Sequence, residues 1–160
     1  MSEGTRTAVV TGAARGIGRG IAERLGADGL HVIAADLPHM ADGTAETVAA
    51  IKKAGGAATA AEVDVTDEAS TQALVDTAVQ AGGQLDVFVA NAGIAQVEKL
   101  LDYTKADFEK ILDVNSTGVF LSYQAAAKQM IAQGTGGKII GAASIVAFRP
   151  FALLSPYSAT

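Results

Sequence analysis

The sequence predicts an α/β fold built on a doubly wound parallel sheet, and three observations carry this prediction. Short apolar runs rich in β-branched residues alternate with longer amphipathic runs. The 18 glycines fall largely at the ends of these runs, several of them in pairs. Hydrophobic residues make up 49% of the chain and charged residues only 18%, which suits strands that are buried on both faces. Short connections between alternating elements then predict right-handed crossovers, with helices on both faces of the sheet.

Five segments have the composition of strands. The first, T-A-V-V-T, runs directly into a glycine-rich turn, and the last, K-I-I-G-A, is apolar except at its first residue. We expect the strand order 3-2-1-4-5, which makes the third and fifth strands the sheet edges. The apolar fifth strand nevertheless favours coverage on both faces over an open edge. The predicted strands are residues 7–11, 30–35, 58–65, 85–90 and 138–142.

Four segments between these strands have helical periodicity. In the first, Ile17, Ile21 and Leu25 recur at helical spacing before Gly29, which suits a helix C-terminus. The last begins after Thr104, a helix-capping residue type, and is much the longest. The predicted helices are residues 17–28, 44–54, 67–81 and 104–132. No repeat, linker or change of composition divides the chain, so residues 1–160 are expected to form one domain.

Composition excludes several classes of function. The net charge of −5 gives no basic surface for nucleic acid. The absence of cysteine excludes disulfide frameworks, thiolate metal sites and cysteine nucleophiles. The two histidines, His31 and His39, do not lie at metal-ligand spacing with acids, so no metal site is expected. No apolar run is long enough for a signal peptide or a membrane span, which predicts a cytosolic protein without a membrane partner.

The first strand leads into T-G-A-A-R-G-I-G, residues 11–18, and then into a helix. Gly12 allows a tight turn, while Gly16 and Gly18 let the backbone approach a pyrophosphate and pack helix against strand. The helix N-terminus adds free N–H groups and a positive dipole. A glycine cluster alone is equally consistent with a structural turn, but this strand–loop–helix context predicts a Rossmann-type dinucleotide site.

Asp36 ends the second strand, about 20 residues after the glycine loop, where an acid can accept hydrogen bonds from the adenosine ribose. Its charge would repel a 2′-phosphate and so favours NAD over NADP. Arg15, within the loop, is the opposing signal because a guanidinium can bind such a phosphate. The alternative interpretation of Asp36 is a polar residue that merely ends a strand.

These motifs, followed by Asp64-Val65, A-N-A-G at residues 90–93, Asn115, Ser144 and Tyr157, resemble the short-chain dehydrogenase/reductase family over the whole chain. The resemblance implies that Asp64 and Val65 cradle the adenine and that Asn91, Ala92 and Gly93 lie beside the cofactor. Ala90 stands where the family often has a first asparagine. The expected cofactor-binding residues are Gly12, Arg15, Gly16, Ile17, Gly18, Asp36, Asp64, Val65, Asn91, Ala92 and Gly93.

Asn115 lies within D-V-N-S-T-G, residues 113–118, in the middle of the longest predicted helix. Asn, Ser, Thr and Gly are poor helix-interior residues, so the run predicts a local distortion. Without the resemblance, a packing kink explains it equally well. The resemblance implies that Asn115 orders a water near the active site.

Ser144 follows the fifth strand, at a sheet edge where ligands of open α/β sheets bind. On its own it would be a cap or turn residue, and Tyr157 a helix-start aromatic. The resemblance implies that Tyr157 is the general acid/base and that Ser144 holds the substrate oxygen. The family has a lysine four residues after the tyrosine, whose charge favours ionisation of the phenol. That position would directly follow Thr160, so the natural protein is expected to continue, with further strands and helices.

The resemblance implies an oxidoreductase that transfers hydride reversibly between NAD(H) and a secondary alcohol or ketone. A-S-I-V-A-F-R-P-F, residues 143–151, resembles the diacetyl, acetoin and butanediol reductases and nearby polyol dehydrogenases. The alternative is an NAD-binding module without turnover; another doubly wound fold would leave the spacing of Ser144 and Tyr157 unexplained. The resemblance also implies a homo-oligomer. Apolar residues of the longest helix, which serve either an interface or the sheet, are Phe108, Leu112, Val119, Tyr123 and Met130.

Overall fold

A computed structural model describes residues 5–160 and contains one five-stranded parallel sheet. The strand order is β3-β2-β1-β4-β5, which confirms the predicted order and fold class. β1 lies at the centre, so its carboxyl end meets the ends of β2 and β4 at one edge of the sheet. The strands are β1 Thr7–Thr11, β2 His31–Asp36, β3 Ala57–Glu62, β4 Val87–Ala90 and β5 Lys138–Gly141.

Six α-helices connect or follow these strands. Short 3₁₀ turns at Pro38–Met40 and Ile145–Ala147 lead out of the ends of β2 and β5. None of the helices in residues 5–160 is long and apolar enough to cross a membrane. The helices are α1 Gly16–Ala27, α2 Ala41–Lys53, α3 Glu68–Gly82, α4 Lys105–Leu112, α5 Gly118–Ala132 and α6 Ser155–Ser158.

Two apolar cores cover the two faces of the sheet. Val9 and Phe88 point into one core, with α3 and α5, whereas Val10 and Val89 point into the other, with α1 and α2. Neighbouring residues of a strand alternate between faces, so each strand contributes to both cores. This alternation explains why the strands are apolar runs without a polar face.

Two predicted boundaries are wrong by three residues. α2 begins at Ala41 and not at Thr44, because the 3₁₀ turn runs directly into the helix. Thr44 therefore donates its hydroxyl back to the carbonyl of Met40, as a residue within a helix does. β3 ends at Glu62, opposite Asp36, since β2 offers no further partner for Val65.

The expectation that β5 is covered on both faces is not met within residues 5–160. Ile139 packs against the core formed with α3 and α5, but Ile140 points to the other face and is 49% exposed. The physical reason is that α1 and α2 lie over the opposite half of the sheet. β5 is thus an edge strand, as the strand order predicts, with one apolar face open.

The longest predicted helix is divided by a distortion. A π-helical segment, Asp113–Thr117, separates α4 from α5 and carries Asn115. This confirms the distortion that the D-V-N-S-T-G run predicts. π-helical turns inside α-helices interrupt the regular ladder and frequently mark functional sites.

Thr104 begins α4 with a reciprocal cap that depends on pH. Its side chain accepts from the N–H of Asp107, while the Asp107 carboxylate accepts from the Thr104 hydroxyl and backbone N–H. The hydroxyl and then the backbone N–H hold the pKa of Asp107 below its ordinary value. A lowered carboxyl pKa adds stability above the unfolded-state pKa, and that stability is lost as the pH falls through the folded-state pKa.

Asp107→Asn is therefore expected to lower the free energy of unfolding at neutral pH, because the amide replaces a charged hydrogen-bond acceptor. The difference from the wild type should shrink as the pH falls below about 4. Urea unfolding across this range measures it, with the exposed neighbour Asp102→Asn as the matched control. A difference that stays constant down to about pH 3 would contradict a role for the carboxylate charge.

Candidate active site

The glycine loop between β1 and α1 has the backbone that a phosphate site requires. Gly12 and Gly16 have φ angles of 67° and 57°, which residues with a side chain rarely adopt. A Cβ at Gly18 would overlap the carbonyl oxygen of Gly12, so only glycine lets α1 approach the strand this closely. No side chain caps α1, and Arg15 at the N-cap is exposed. The first N–H groups of α1 thus remain available to an anion.

The loop is held from behind by groups that the sequence patterns did not single out. The Arg19 guanidinium donates to the carbonyls of Ala14 at 2.6 Å and Gly43 at 3.1 Å. The buried Thr47 hydroxyl lies 2.9 Å from the Ala13 carbonyl. Both contacts anchor the loop to α2, which positions its opposite side for ligand binding. Arg19 directly follows Gly18 of the glycine loop, but the spacing of this motif does not predict that its guanidinium donates to backbone carbonyls.

Asp36 lies at the end of β2 and already serves the loop. One carboxylate oxygen accepts from the Ala14 N–H at 3.0 Å and the other from the Leu37 N–H at 2.9 Å. A carboxylate has about four acceptor positions, so capacity for a ribose hydroxyl remains. Asp36 and its register partner Glu62 line a cavity of about 180 Å³ at the ends of β2 and β3. Two negative charges here disfavour a further phosphate.

Asp64 and Val65 follow β3: the Asp64 side chain forms hydrogen bonds, whereas the Val65 side chain packs in the core. The Asp64 carboxylate accepts from the backbone N–H of Thr66 at 3.0 Å and from its hydroxyl at 2.7 Å, which closes a local turn. Val65 is buried against Gly118, at the start of α5. Its side chain packs the turn after β3 against α5.

Thr11 fixes the segment after β4 to the end of β1. Its hydroxyl oxygen accepts from the N–H groups of Asn91 and Ala92, each at 3.1 Å. The Asn91 side chain returns a hydrogen bond of 3.0 Å to the Thr11 carbonyl. The predicted residues Asn91, Ala92 and Gly93 are thereby held directly beside the glycine loop. The sequence places Thr11 at the end of the first strand and at the start of the T-G-A-A-R-G-I-G motif, but no pattern indicates this role for its hydroxyl.

Asn115 projects from the π-helical segment toward the loop after β4. Its amide oxygen accepts from the Ile94 N–H and its amide nitrogen donates to the Ile94 carbonyl, both at 2.9 Å. The same nitrogen lies 3.3 Å from the Thr160 hydroxyl. Asn115 therefore joins three segments: the distorted helix, the β4 loop and the end of α6. Its side chain acts as a structural link here, which the sequence did not predict.

Ser144 and Tyr157 reach the site from the segment after β5. Ser144 begins the 3₁₀ turn at Ile145–Ala147, where its hydroxyl accepts from the Val146 N–H at 3.3 Å. The hydroxyl keeps its own proton for another partner. Tyr157 is half-buried in α6, next to the buried Pro156. The capping and site interpretations of Ser144 are thus compatible.

A cleft of about 410 Å³ at the carboxyl edge of the sheet brings half of the predicted residues together. This volume falls within the range of small-molecule sites. Its predicted lining residues are Ile17, Asn91, Ala92, Gly93, Asn115, Ser144 and Tyr157. The predicted residues that do not line it are Gly12, Arg15, Gly16, Gly18, Asp36, Asp64 and Val65. The second group lies along the glycine loop and the ends of β2 and β3, as an extended ligand requires.

Comparison with known proteins identifies the family of the chain. Residues 6–160 match the sequence model of the short chain dehydrogenase family. The chain is 46% identical over 156 residues to L-2,3-butanediol dehydrogenase from Corynebacterium glutamicum. The aligned region covers 98% of this chain and 60% of the relative. The chain is 40% identical over 156 residues to an (S)-acetoin-forming diacetyl reductase from Staphylococcus epidermidis, with the same coverages.

A solved structure shares the fold. A short-chain type dehydrogenase/reductase from Mycobacterium marinum superposes with a TM-score of 0.91 at 35% identity, over 96% of this chain and 62% of that one. The chain thus spans about three fifths of the length of the relatives it matches. The match to the family model, residues 6–160, includes the glycine loop, the cleft and all of the predicted site residues.

Proposed function

Because the chain belongs to the short-chain dehydrogenase family, we propose that it performs reversible hydride transfer between NAD(H) and a secondary alcohol or its ketone. One observation carries the proposal: Ser144, Tyr157 and the Asn91–Gly93 segment line a single cleft beside the glycine loop. A hydroxyl that holds an oxygen, a phenol that exchanges a proton and a nucleotide loop are what this reaction needs in one place.

The residues present fit a dinucleotide. The close approach of Gly18 to Gly12 and the uncapped N-terminus of α1 suit a pyrophosphate. Asp36 keeps acceptor positions for the ribose, and its charge supports NAD over NADP. Ile17 and Gly93 would flank the nicotinamide end, since both line the cleft. When bound, the nicotinamide would supply or accept the hydride.

Tyr157 handles the proton in this proposal. In ketone reduction its hydroxyl gives a proton to the carbonyl oxygen as the carbon gains hydride; in alcohol oxidation it takes that proton back. The Ser144 hydroxyl donates to the same oxygen and stabilises its developing negative charge. Asn115 keeps the β4 loop and the end of α6 together around these two groups.

For the substrate, we propose a small vicinal hydroxyketone, diketone or diol. The support is the printed activities of the similar butanediol dehydrogenase and diacetyl reductase. Ala95, Ala142, Ala143 and Ala147 give the cleft apolar lining beside Ser144, which suits the carbon atoms of a substrate whose oxygen Ser144 holds. Such a substrate needs two oxygen-binding positions and little room for carbon.

The experiment uses the full-length protein with NADH or NADPH and a panel of diacetyl, acetoin and a monoketone. We expect NADH to be oxidised faster with diacetyl or acetoin than with the monoketone. With each substrate, NADPH should be oxidised more slowly than NADH. NADH fluorescence measures binding separately from turnover. Binding of NADH without turnover of any substrate in the panel would contradict the dehydrogenase and favour a nucleotide-binding module. If neither NADH nor NADPH binds, the dehydrogenase and the nucleotide-binding module are both refuted.

A homo-oligomer is part of the proposal. Phe120 and Ile131 are 59% and 79% exposed. They are eleven residues apart, about three helical turns, and so lie on the same side of α5. A second copy of the chain that packs against this side would remove the two apolar side chains from water. Sedimentation of the full-length protein measures the state, and a monomer at micromolar concentration would contradict an interface here.

A further inference from the structure

Two loops border the cleft, and the backbone carbonyl of Leu153 joins them. One loop follows β4 and contains Glu98 and Tyr103; the other follows β5 and leads to α6. The Leu153 carbonyl accepts from the Glu98 N–H at 3.0 Å and from the Tyr103 hydroxyl at 3.1 Å. The same hydroxyl also contacts the carbonyl of Gln96, so its one proton is shared between the two carbonyls. The Tyr103 side chain therefore links the two loops through Leu153, which lies 50 residues later in the sequence.

Leu153 has a strained backbone conformation. Among residues 5–160 it is the only residue other than glycine in the left-handed region, with a φ of 69°. Such a conformation persists only where its surroundings impose it, and strain of this kind concentrates at functional sites. Within residues 5–160, Phe148, Phe151 and Leu153 are 86%, 51% and 43% exposed, so apolar packing by these residues holds the loop weakly. The polar contacts of Leu153 are the two hydrogen bonds that its carbonyl accepts.

Leu153 lies two residues before α6, the helix that carries Tyr157. The next carbonyl, that of Leu154, accepts from the backbone N–H of Ser158 at 2.8 Å and from its hydroxyl at 2.9 Å. A rotation at Leu153 would therefore move α6 as a unit, together with the phenol of Tyr157. α6 also packs against α4, which begins two residues after Tyr103.

We propose that Tyr103 is a positioning residue for Tyr157: its hydroxyl holds Leu153 in the left-handed conformation and so sets the orientation of α6 in the cleft. This inference rests on the proposed function for its catalytic consequence. Its structural content, the fixing of residues 153–158 by the Tyr103 hydroxyl, stands on the contacts alone. Tyr103 does not line the cleft, so it acts through the backbone and not on the substrate.

The test is Tyr103→Phe in the full-length protein, which removes the hydroxyl and keeps the ring. We expect kcat to fall about tenfold to a hundredfold, because small misplacements of a reacting group have effects of this size. The dissociation constant of NADH should stay within about twofold, since the glycine loop is untouched. A merely structural role would lower binding, stability and turnover together.

Leu153→Gly supplies a second variant, because glycine adopts a positive φ without strain. If Tyr103 acts through this strain, Tyr103→Phe will reduce kcat less in the Leu153→Gly background than in the wild type, a non-additivity that a double-mutant cycle measures. Equal losses of kcat in both backgrounds, or an NADH affinity that falls in parallel with kcat, would overturn the proposal.

Hydrogen exchange separates this inference from the proposed function. Tyr103→Phe should accelerate exchange in peptides that cover residues 153–160 and leave the strands of the sheet unchanged. Thr77→Ala is the control, since it also removes a hydroxyl that donates to a backbone carbonyl, that of Ala73 on α3, but lies outside the cleft and should leave exchange in residues 153–160 unaltered. Should the wild type transfer no hydride, the proposed function fails, and accelerated exchange still supports the role of Tyr103. Unchanged exchange overturns it with or without activity.

Discussion

Gly18→Ala is expected to cost the protein its NADH affinity and part of its stability. The new Cβ would overlap the Gly12 carbonyl oxygen and lie 2.6 Å from the side-chain nitrogen of Asn91. The overlap is with backbone, which cannot rotate away, so α1 or the loop must shift. Overpacking of this kind lowers the free energy of unfolding by about 1–3 kcal/mol. NADH affinity should fall at least about tenfold, since the phosphate-binding N–H groups move with the loop.

Gly20→Ala is the matched control on the same helix. A Cβ there meets nothing within 4 Å, so the substitution tests helix propensity alone. It should raise the free energy of unfolding by about 0.5–1 kcal/mol and leave NADH affinity unchanged. Urea unfolding and NADH fluorescence titration give both quantities for both variants. If Gly18→Ala binds NADH as the wild type does, the loop is not where the pyrophosphate lies.

Tyr157→Phe is expected to reduce kcat by about 10² to 10⁴, the range that general acid–base catalysis contributes. The ring stays in place and only the exchangeable proton is lost, so α6 should keep its position. NADH binding and the urea midpoint should therefore match the wild type. Stopped-flow measurement of NADH oxidation with saturating acetoin or diacetyl isolates the hydride-transfer step from product release.

Ser144→Ala separates the two hydroxyls. We expect it to lower kcat less than Tyr157→Phe does, because it removes stabilisation of the oxygen but leaves the proton source in place. A Tyr157→Phe variant that retains kcat within a few-fold would assign the proton transfer to another group. Loss of NADH affinity in either variant would instead show that the substitution disturbed the cleft that these residues share with Asn91.

Much of the fold could be predicted because local rules decide it. The apolar runs, the glycines at helix ends and the T-G-A-A-R-G-I-G loop specify strand, turn and helix from neighbours in sequence. The distortion at residues 113–118 could be predicted for the same reason, since four poor helix-formers stand together. Boundaries failed at Thr44 and Val65, where a 3₁₀ turn and the length of a neighbouring strand decided the outcome.

The site residues also fall into those that the sequence could predict and those that it could not. Gly12, Asp36, Ser144 and Tyr157 could be proposed from position relative to predicted strand ends, together with a family resemblance. The contacts of Thr11, Arg19 and Tyr103 could not, because their partners are backbone carbonyls or N–H groups. Every residue offers such groups, so no sequence pattern marks which one a distant side chain will meet.

The sequence by itself determined the alternation of strands and helices, the glycine loop and the residue types available for hydride-transfer chemistry. Only the tertiary structure decided that Asn115 joins the β4 loop to the end of α6, that Ile140 is about half-exposed within residues 5–160, and that the Tyr103 hydroxyl meets the carbonyl of Leu153, whose φ is positive. The physical reason is range. Propensity and periodicity act between neighbours along the chain, whereas these contacts depend on where the folded backbone brings groups 20 to 50 residues apart.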